Sequence, residues 1–133
     1  MKKIGGFFMK ELIIKKCMKC GAMVQVLEDC TCENCGIKCC GEQMETLKPN
    51  SVDAAIEKHV PEYVVKDGKI FVKVNHVMEE DHYIEWISIV FENKTVTTYL
   101  NPGEEPCMHC KYVPGSTIYA YCNKHSIWKK DVE

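Results

Sequence analysis

From residue 70 onward the chain alternates between apolar and polar positions. Ile70, Val72, Val74 and His76 fall on one face of a predicted strand, and Phe71, Lys73 and Asn75 on the other. In a second strand His82, Ile84, Trp86, Ser88 and Val90 share a face. The opposite face carries Tyr83, Glu85, Ile87, Ile89 and Phe91. Both faces are mostly apolar, which predicts a strand covered on both sides. Residues 95–100 (Thr-Val-Thr-Thr-Tyr-Leu) read as a third strand from their β-branched and aromatic content. Ile118, Ala120 and Cys122 share a face of a fourth. Turns are marked by Asp67-Gly68, Glu92-Asn93, Asn101-Pro102-Gly103 and Pro114-Gly115. Short strands at this spacing predict an antiparallel β-sandwich. Only Val52 to Lys58 reads as helix.

The alternation stops at Lys48-Pro49-Asn50, which divides the chain into residues 1–47 and 48–133. The first part has few large apolar residues and cannot bury enough core to stand alone; it needs a metal or a partner. Composition changes the picture mainly through cysteine. Seven of the ten cysteines lie between Cys17 and Cys40, and three between Cys107 and Cys122. A secreted chain would use such a cluster as a disulfide frame, a cytoplasmic one for metal. The basic stretch from Met1 to Lys16 is interrupted by Lys10 and Glu11 and is followed by no small-residue cleavage site, so it does not read as a signal peptide. With the short Cys-x-x-Cys spacings, this favours metal and a cytoplasmic setting. Seventeen lysines and no arginine face nineteen acidic residues, for a net charge of −2. That argues against a nucleic-acid surface. No apolar run approaches the ~20 residues of a membrane-spanning helix.

His76, His82 and Cys122 each extend a largely apolar strand face, and each sits at a strand end. Such groups can converge at one rim of a sandwich, where a neutral imidazole or thiol must be hydrogen-bonded or coordinated. Cys122 and His125, separated by two residues, let one tight turn offer two ligands. Taken singly, His59, His76 and His82 read as loop or strand-end residues and Cys122 as a small buried hydrophobe. Together, a thiol and four imidazoles suit iron, copper or zinc.

Three segments then carry a resemblance. They are Asn50-Ser51-Val52-Asp53-Ala54-Ala55-Ile56-Glu57-Lys58-His59-Val60-Pro61, His76-Val77-Met78-Glu79-Glu80-Asp81-His82-Tyr83-Ile84-Glu85-Trp86-Ile87, and Tyr121-Cys122-Asn123-Lys124-His125 leading to Trp128-Lys129. In content and order they resemble the superoxide reductases of the desulfoferrodoxin and neelaredoxin family. The resemblance implies a mononuclear iron held by His59, His76, His82 and His125, with Cys122 as axial thiolate and a sixth position open to superoxide. It also implies that Glu57 caps the oxidised iron and that Lys58 is a solvent-facing lysine near the open position.

Residues 16–44 resemble desulforedoxin, the small iron-binding module at the N-terminus of desulfoferrodoxins. The carrying residues are Lys16-Cys17-Met18-Lys19-Cys20-Gly21, Val24-Gln25-Val26-Leu27 and Cys39-Cys40-Gly41-Glu42-Gln43-Met44. The family pattern assigns Cys17, Cys20, Cys39 and Cys40 to one tetrahedral iron, for which zinc is the common competitor. This chain departs from the pattern by adding Cys30, Cys32 and Cys35. Cys32-Glu33-Asn34-Cys35-Gly36 is itself a metal knuckle, and could pair with Cys17 and Cys20 in a zinc-ribbon arrangement. Cys107-Met108-His109-Cys110 also lies outside the pattern and reads as a loop, a redox pair or a metal half-site.

The expectation is a mainly β, two-part iron protein: a desulforedoxin-like module and an immunoglobulin-like sandwich. It would reduce superoxide to hydrogen peroxide with electrons from a rubredoxin-like donor, as a homodimer. The alternatives are a non-catalytic iron electron carrier and a zinc-ribbon interaction module.

Overall fold

The computed structural model describes residues 2–4, 7–9, 11–33 and 35–133, the first two segments as backbone. The chain divides into two compact units, Leu12–Lys48 and a larger one dominated by Pro49–Glu133. Strands β1 (Lys2–Ile4) and β2 (Phe7–Met9) pair with each other as a hairpin.

The Cys-rich unit is built from very short strands. β3 (Ile14–Lys16) lies between β4 (Met23–Gln25) and the later β7 (Glu45–Thr46) in one antiparallel sheet. β5 (Lys38–Cys39) and β6 (Glu42–Gln43) form a hairpin. Its two-residue turn is Cys40-Gly41, with φ of 55° and 77°. That left-handed pair is what a tight hairpin turn requires. Among the described residues of this unit, the buried apolar side chains are Ile14, Cys17 and Met44. At roughly 1.5–3 kcal/mol for a fully buried large side chain, so small a core cannot offset the ordering of some 37 residues.

Residues 49–133 hold seven strands. They are β8 (Glu62–Lys66), β9 (Lys69–Lys73), β10 (Ile84–Phe91), β11 (Lys94–Tyr99), β12 (Cys107–Lys111), β13 (Thr117–Cys122) and β14 (Ser126–Asp131). They form a four-stranded sheet in the order β11-β10-β13-β14 and a three-stranded sheet in the order β12-β9-β8. All pairings are antiparallel. One apolar cluster draws on both sheets, with Ile70, Val72 and Met108 from one and Ile87, Ile89, Ile118 and Ala120 from the other. This is the expected immunoglobulin-like sandwich.

The inward faces predicted for β9 and β13 are the observed ones: Ile70, Val72, Val74, Ile118, Ala120 and Cys122 all lie in the core. The faces predicted for β10 need correction. Ile84 pairs with Cys122 but Trp86 pairs with Tyr121, so Glu85 is an extra residue in a β-bulge. The bulge switches faces. Ile84 therefore joins Ile87, Ile89 and Phe91 in the core, whereas Trp86 stacks on Tyr121, with centroids 5.7 Å apart. The predicted helix over Val52–Lys58 shrinks to a 3-10 turn, Ile56–Lys58. It has no buried residue to anchor further turns, and Ala55 before it is extended (φ −64°, ψ 113°). Strands β8, β12 and β14 were not foreseen. β12 is the Cys107–Lys111 segment, a strand and not a loop.

Candidate metal centres

The larger unit gathers its chemistry from five places. His59 follows the 3-10 turn, His76 lies three residues beyond β9, and His82 lies just before β10. Cys122 ends β13, and His125 sits in the three-residue loop before β14. Their donor atoms all lie within 4.8 Å of one another.

The four imidazoles form a ring of edge-to-face neighbours. Centroid separations run 4.9 Å for His59–His76, 4.7 Å for His76–His82, 5.2 Å for His82–His125 and 4.8 Å for His125–His59. Interplanar angles are 71°, 87°, 69° and 84° in the same order. Cys122 Sγ lies 3.3 Å from His76 Nε2 and 3.7 Å from His125 Nδ1, which belong to opposite corners of that ring. The sulfur thus serves the whole ring and not one edge of it.

Local contacts fix two of the rings. His59 Nδ1 donates to Ala55 O (2.7 Å) and His76 Nδ1 to Val77 O (2.6 Å), which leaves each Nε2 with a lone pair. Trp128 stacks on His59 at 4.9 Å and donates from Nε1 to His125 O (2.9 Å). The segment leading to His59 is clasped by Asn50. Its Oδ1 accepts from Lys129 N (2.8 Å), and its own N–H donates to Ile127 O (3.1 Å). Burial pushes the His59 and His76 imidazoles below their ordinary range, against the opposing pull of the two carbonyls. Both are therefore held neutral, the form that binds metal. Burial pushes the Cys122 thiol up, while the N–H groups of Lys124 and His125 pull it down.

A test of fit comes from His82. Its Nε2 is buried and has no hydrogen-bond partner among the described residues. Leaving such an atom unsatisfied costs about 1–3 kcal/mol. A metal at the centre of the ring would satisfy it and would stabilise the Cys122 thiolate. The residues fit one metal ion with five protein donors.

The second cluster is Cys17, Cys20, Cys39 and Cys40. Cys20 Sγ lies 3.6 Å from Cys39 Sγ, which lies 3.9 Å from Cys40 Sγ. Cys20 N donates to Cys17 Sγ (3.5 Å), in a knuckle closed by Gly21 at φ 83°. The N–H groups of Cys20 and then Lys19 hold the Cys17 thiol down to about 7. The shared hydrogens of Cys20, Cys17 and Cys40 push Cys39 up to about 12. Four crowded thiols cannot all ionise without a cation, so this group too has the chemistry of a metal site. The alternative pairing with Cys32 and Cys35 is not the arrangement found. Cys32 is exposed, and Cys35 Sγ donates to Cys32 O (2.9 Å).

Residues 51–131 match the family model described as Desulfoferrodoxin. The chain belongs to the desulfoferrodoxin family. It is 37% identical over 126 residues to a desulfoferrodoxin of Syntrophotalea carbinolica, covering 92% of this chain and 98% of that one. It is 39% identical over 127 residues to a desulfoferrodoxin of Desulfarculus baarsii, with the same coverage. Its fold is similar to that of the superoxide reductase from Treponema pallidum: TM-score 0.69, 23% identity, 91% of this chain and 99% of that one. A superoxide reductase from Giardia intestinalis aligns at TM-score 0.50 and 26% identity over 58% of this chain and 98% of its own. The alignments with the two desulfoferrodoxins both reach beyond the region that the family model matches.

The remaining sequence candidates fall as follows. Glu57 and Lys58 are exposed on the 3-10 turn that ends at His59. Cys107 is exposed, whereas Cys110 is half-buried beside the core, on the opposite face of β12. Three positions apart along a strand, they point to opposite faces and form neither a dithiol nor a metal half-site. Cys30 is exposed and lies outside both clusters. Sequence reasoning assigned nothing to Ala55, Val77 or Asn123. Only Asn123, inside the Cys-x-x-His hook, carried a positional signal.

Proposed function

We propose that this chain is a superoxide reductase, catalysing the one-electron reduction of superoxide to hydrogen peroxide with uptake of two protons. The reading is carried by one observation: four imidazoles ring a buried cysteine sulfur, and one of their nitrogens has no hydrogen-bond partner among the described residues. Support also comes from family membership and from the likeness to a superoxide reductase at 26% identity.

His59, His76 and His82 through Nε2, His125 through Nδ1 and Cys122 through Sγ would hold a mononuclear non-haem iron. That iron would supply one electron per superoxide and, beyond its five protein donors, a place for the substrate to bind. Cys122 contributes an electron-rich donor whose charge is tempered by the Lys124 and His125 N–H groups. The carbonyls of Ala55 and Val77 hold the His59 and His76 rings in one tautomer. Lys58 attracts the anionic substrate; on a chain of net charge −2, such attraction has to be local. Glu57, next to it, would cap the centre when it is oxidised.

We also propose that residues 1–47 form a desulforedoxin-like module with a second iron, or zinc, at Cys17, Cys20, Cys39 and Cys40, and that residues 48–133 form the catalytic domain. The electron donor is a rubredoxin-like protein and the working form a homodimer. A cytoplasmic setting suits ten unbridged cysteines. No helix among the described residues is long and apolar enough to cross a membrane.

Product stoichiometry tests the activity. Reduction gives one peroxide per superoxide and no oxygen. Oxygen evolution would mean dismutation, and no turnover would leave an electron carrier. A protein that is colourless after oxidation would hold zinc only.

A further inference from the structure

We propose that Asn123 is a positioning residue that fixes His82 relative to Cys122 and so sets how tightly the five-donor centre holds its metal. The inference rests on the metal-centre reading above.

Main-chain pairing of β10 with β13 ends at Ile84 and Cys122. One residue further, the Asn123 side chain takes over as a surrogate peptide group. Its Oδ1 accepts from Tyr83 N (2.9 Å), and its Nδ2 donates to Asp81 O (2.9 Å). Its own N–H donates to Tyr83 O (3.2 Å). The two side-chain bonds grip the backbone on either side of His82. His82 itself closes a small two-way bridge with Glu79, N–H to carbonyl in each direction (3.0 and 3.2 Å).

The ligands differ in how they are held. His59 and His76 each have an Nδ1 bond to a carbonyl, and His59 also has Trp128 stacked on it. No bond to His82's ring is found among the described residues, and its Nε2 is the orphaned atom. The position of His82 therefore has to come from its backbone. Asn123 supplies it and is covalently next to Cys122, so one amide ties the two ligands together. Only Asn and Gln carry an amide, with the acceptor oxygen and the donor nitrogen on separate atoms as in a peptide group, and Asn is the shorter of the two. Loss of an outer support of this kind costs about 10–100-fold in metal affinity.

The test uses the full chain as Asn123→Ala and Asn123→Asp. Asp keeps the acceptor for Tyr83 N and loses the donor to Asp81 O. Reduced, iron-loaded protein is exposed to excess ferrous chelator. The iron retained is read after oxidation from the blue thiolate-to-iron absorption, which a red tetrathiolate centre does not share. Asn123→Ala should release iron at least tenfold faster than the parent, and Asn123→Asp by an intermediate factor. In the metal-free chain, the Tyr83 amide should lose hydrogen-exchange protection in Asn123→Ala and keep most of it in Asn123→Asp. The amides of β9 and β13 should stay protected in both. Parent-like iron release in Asn123→Ala, or an unchanged Tyr83 amide, overturns the proposal. Equal loss in both variants with all sandwich amides exposed also overturns it, because Asn123 would then serve the fold as a whole. A parent chain without the blue absorption contradicts the metal-centre reading instead, while the exchange measurement still decides the role of Asn123.

Discussion

His125 enters the ring through Nδ1, whereas His59 and His76 present Nε2. The difference follows from the chain. His125 lies three residues from Cys122 in a tight loop, so the nitrogen nearer its own backbone faces the sulfur. His59 and His76 reach in from separate segments. The spacing Cys-x-x-His revealed the hook but not which nitrogen it would offer, because a tautomer is set by partners distant in sequence. The same applies to Trp128, whose stacking on His59 brings together residues 69 positions apart. Glu57 and Lys58 were readable only by resemblance, since both are exposed positions on a short turn. Two predictions belong at this scale. Lys58→Ala should slow the second-order reaction with superoxide about three- to tenfold at low ionic strength and flatten its salt dependence. An unchanged rate there would remove Lys58 from the reaction. Glu57→Ala should leave turnover nearly intact and shift the absorption of the oxidised protein. An identical oxidised spectrum would contradict its capping role.

At the scale of elements, alternation was a good guide wherever one face of a strand packs on the core, as in β9 and β13. It failed where the strand carries weak apolar contrast. In β8, Val64 and Val65 are adjacent and both exposed. In β14, Ile127 and Trp128 are adjacent and both buried. It also failed at the Glu85 bulge, because one inserted residue reverses every face beyond it. That bulge is functional in position: it turns Ile84, and with it the approach from His82, toward the core side. The hairpin carrying Cys122 and His125 has a strained corner. Ser126, paired with Cys122, adopts φ 66°. A side chain there costs about 1–2 kcal/mol, and glycine's extra flexibility about 0.5–1 kcal/mol. Ser126→Gly should therefore stabilise the sandwich by up to about 1 kcal/mol in denaturant unfolding. A loss of more than about 1 kcal/mol would mean that the Ser126 side chain makes a compensating contact.

On the scale of the whole molecule, the two units rest on different physics. The sandwich has thirteen buried core residues and should fold without metal. The Cys-rich unit has almost no core and should not. Stripping metal should abolish hydrogen-exchange protection in residues 12–48 while β10 and β13 stay protected. Retained protection in both would show that the short strands suffice. Cys39→Ser with Cys40→Ser should remove one metal per chain, whereas Cys32→Ser with Cys35→Ser should remove none. The reverse would restore the alternative pairing. The division of the chain was legible because seven cysteines precede Pro49 and long alternation follows it. The choice of Cys39 and Cys40 over Cys32 and Cys35 was legible through the resemblance of Cys39-Cys40-Gly41-Glu42 and not through spacing, because the left-handed turn at Cys40-Gly41 shows only in the folded hairpin. The central claim is that these five side chains make an iron that reacts directly with superoxide. Pulse-generated superoxide mixed with the ferrous protein and followed by absorption tests it most directly. The account predicts a fast second-order reaction, first order in protein, that yields peroxide and ends in the blue oxidised form, and that is lost in Cys122→Ser. Decay of superoxide at its spontaneous rate, with the ferrous spectrum unchanged, would contradict it.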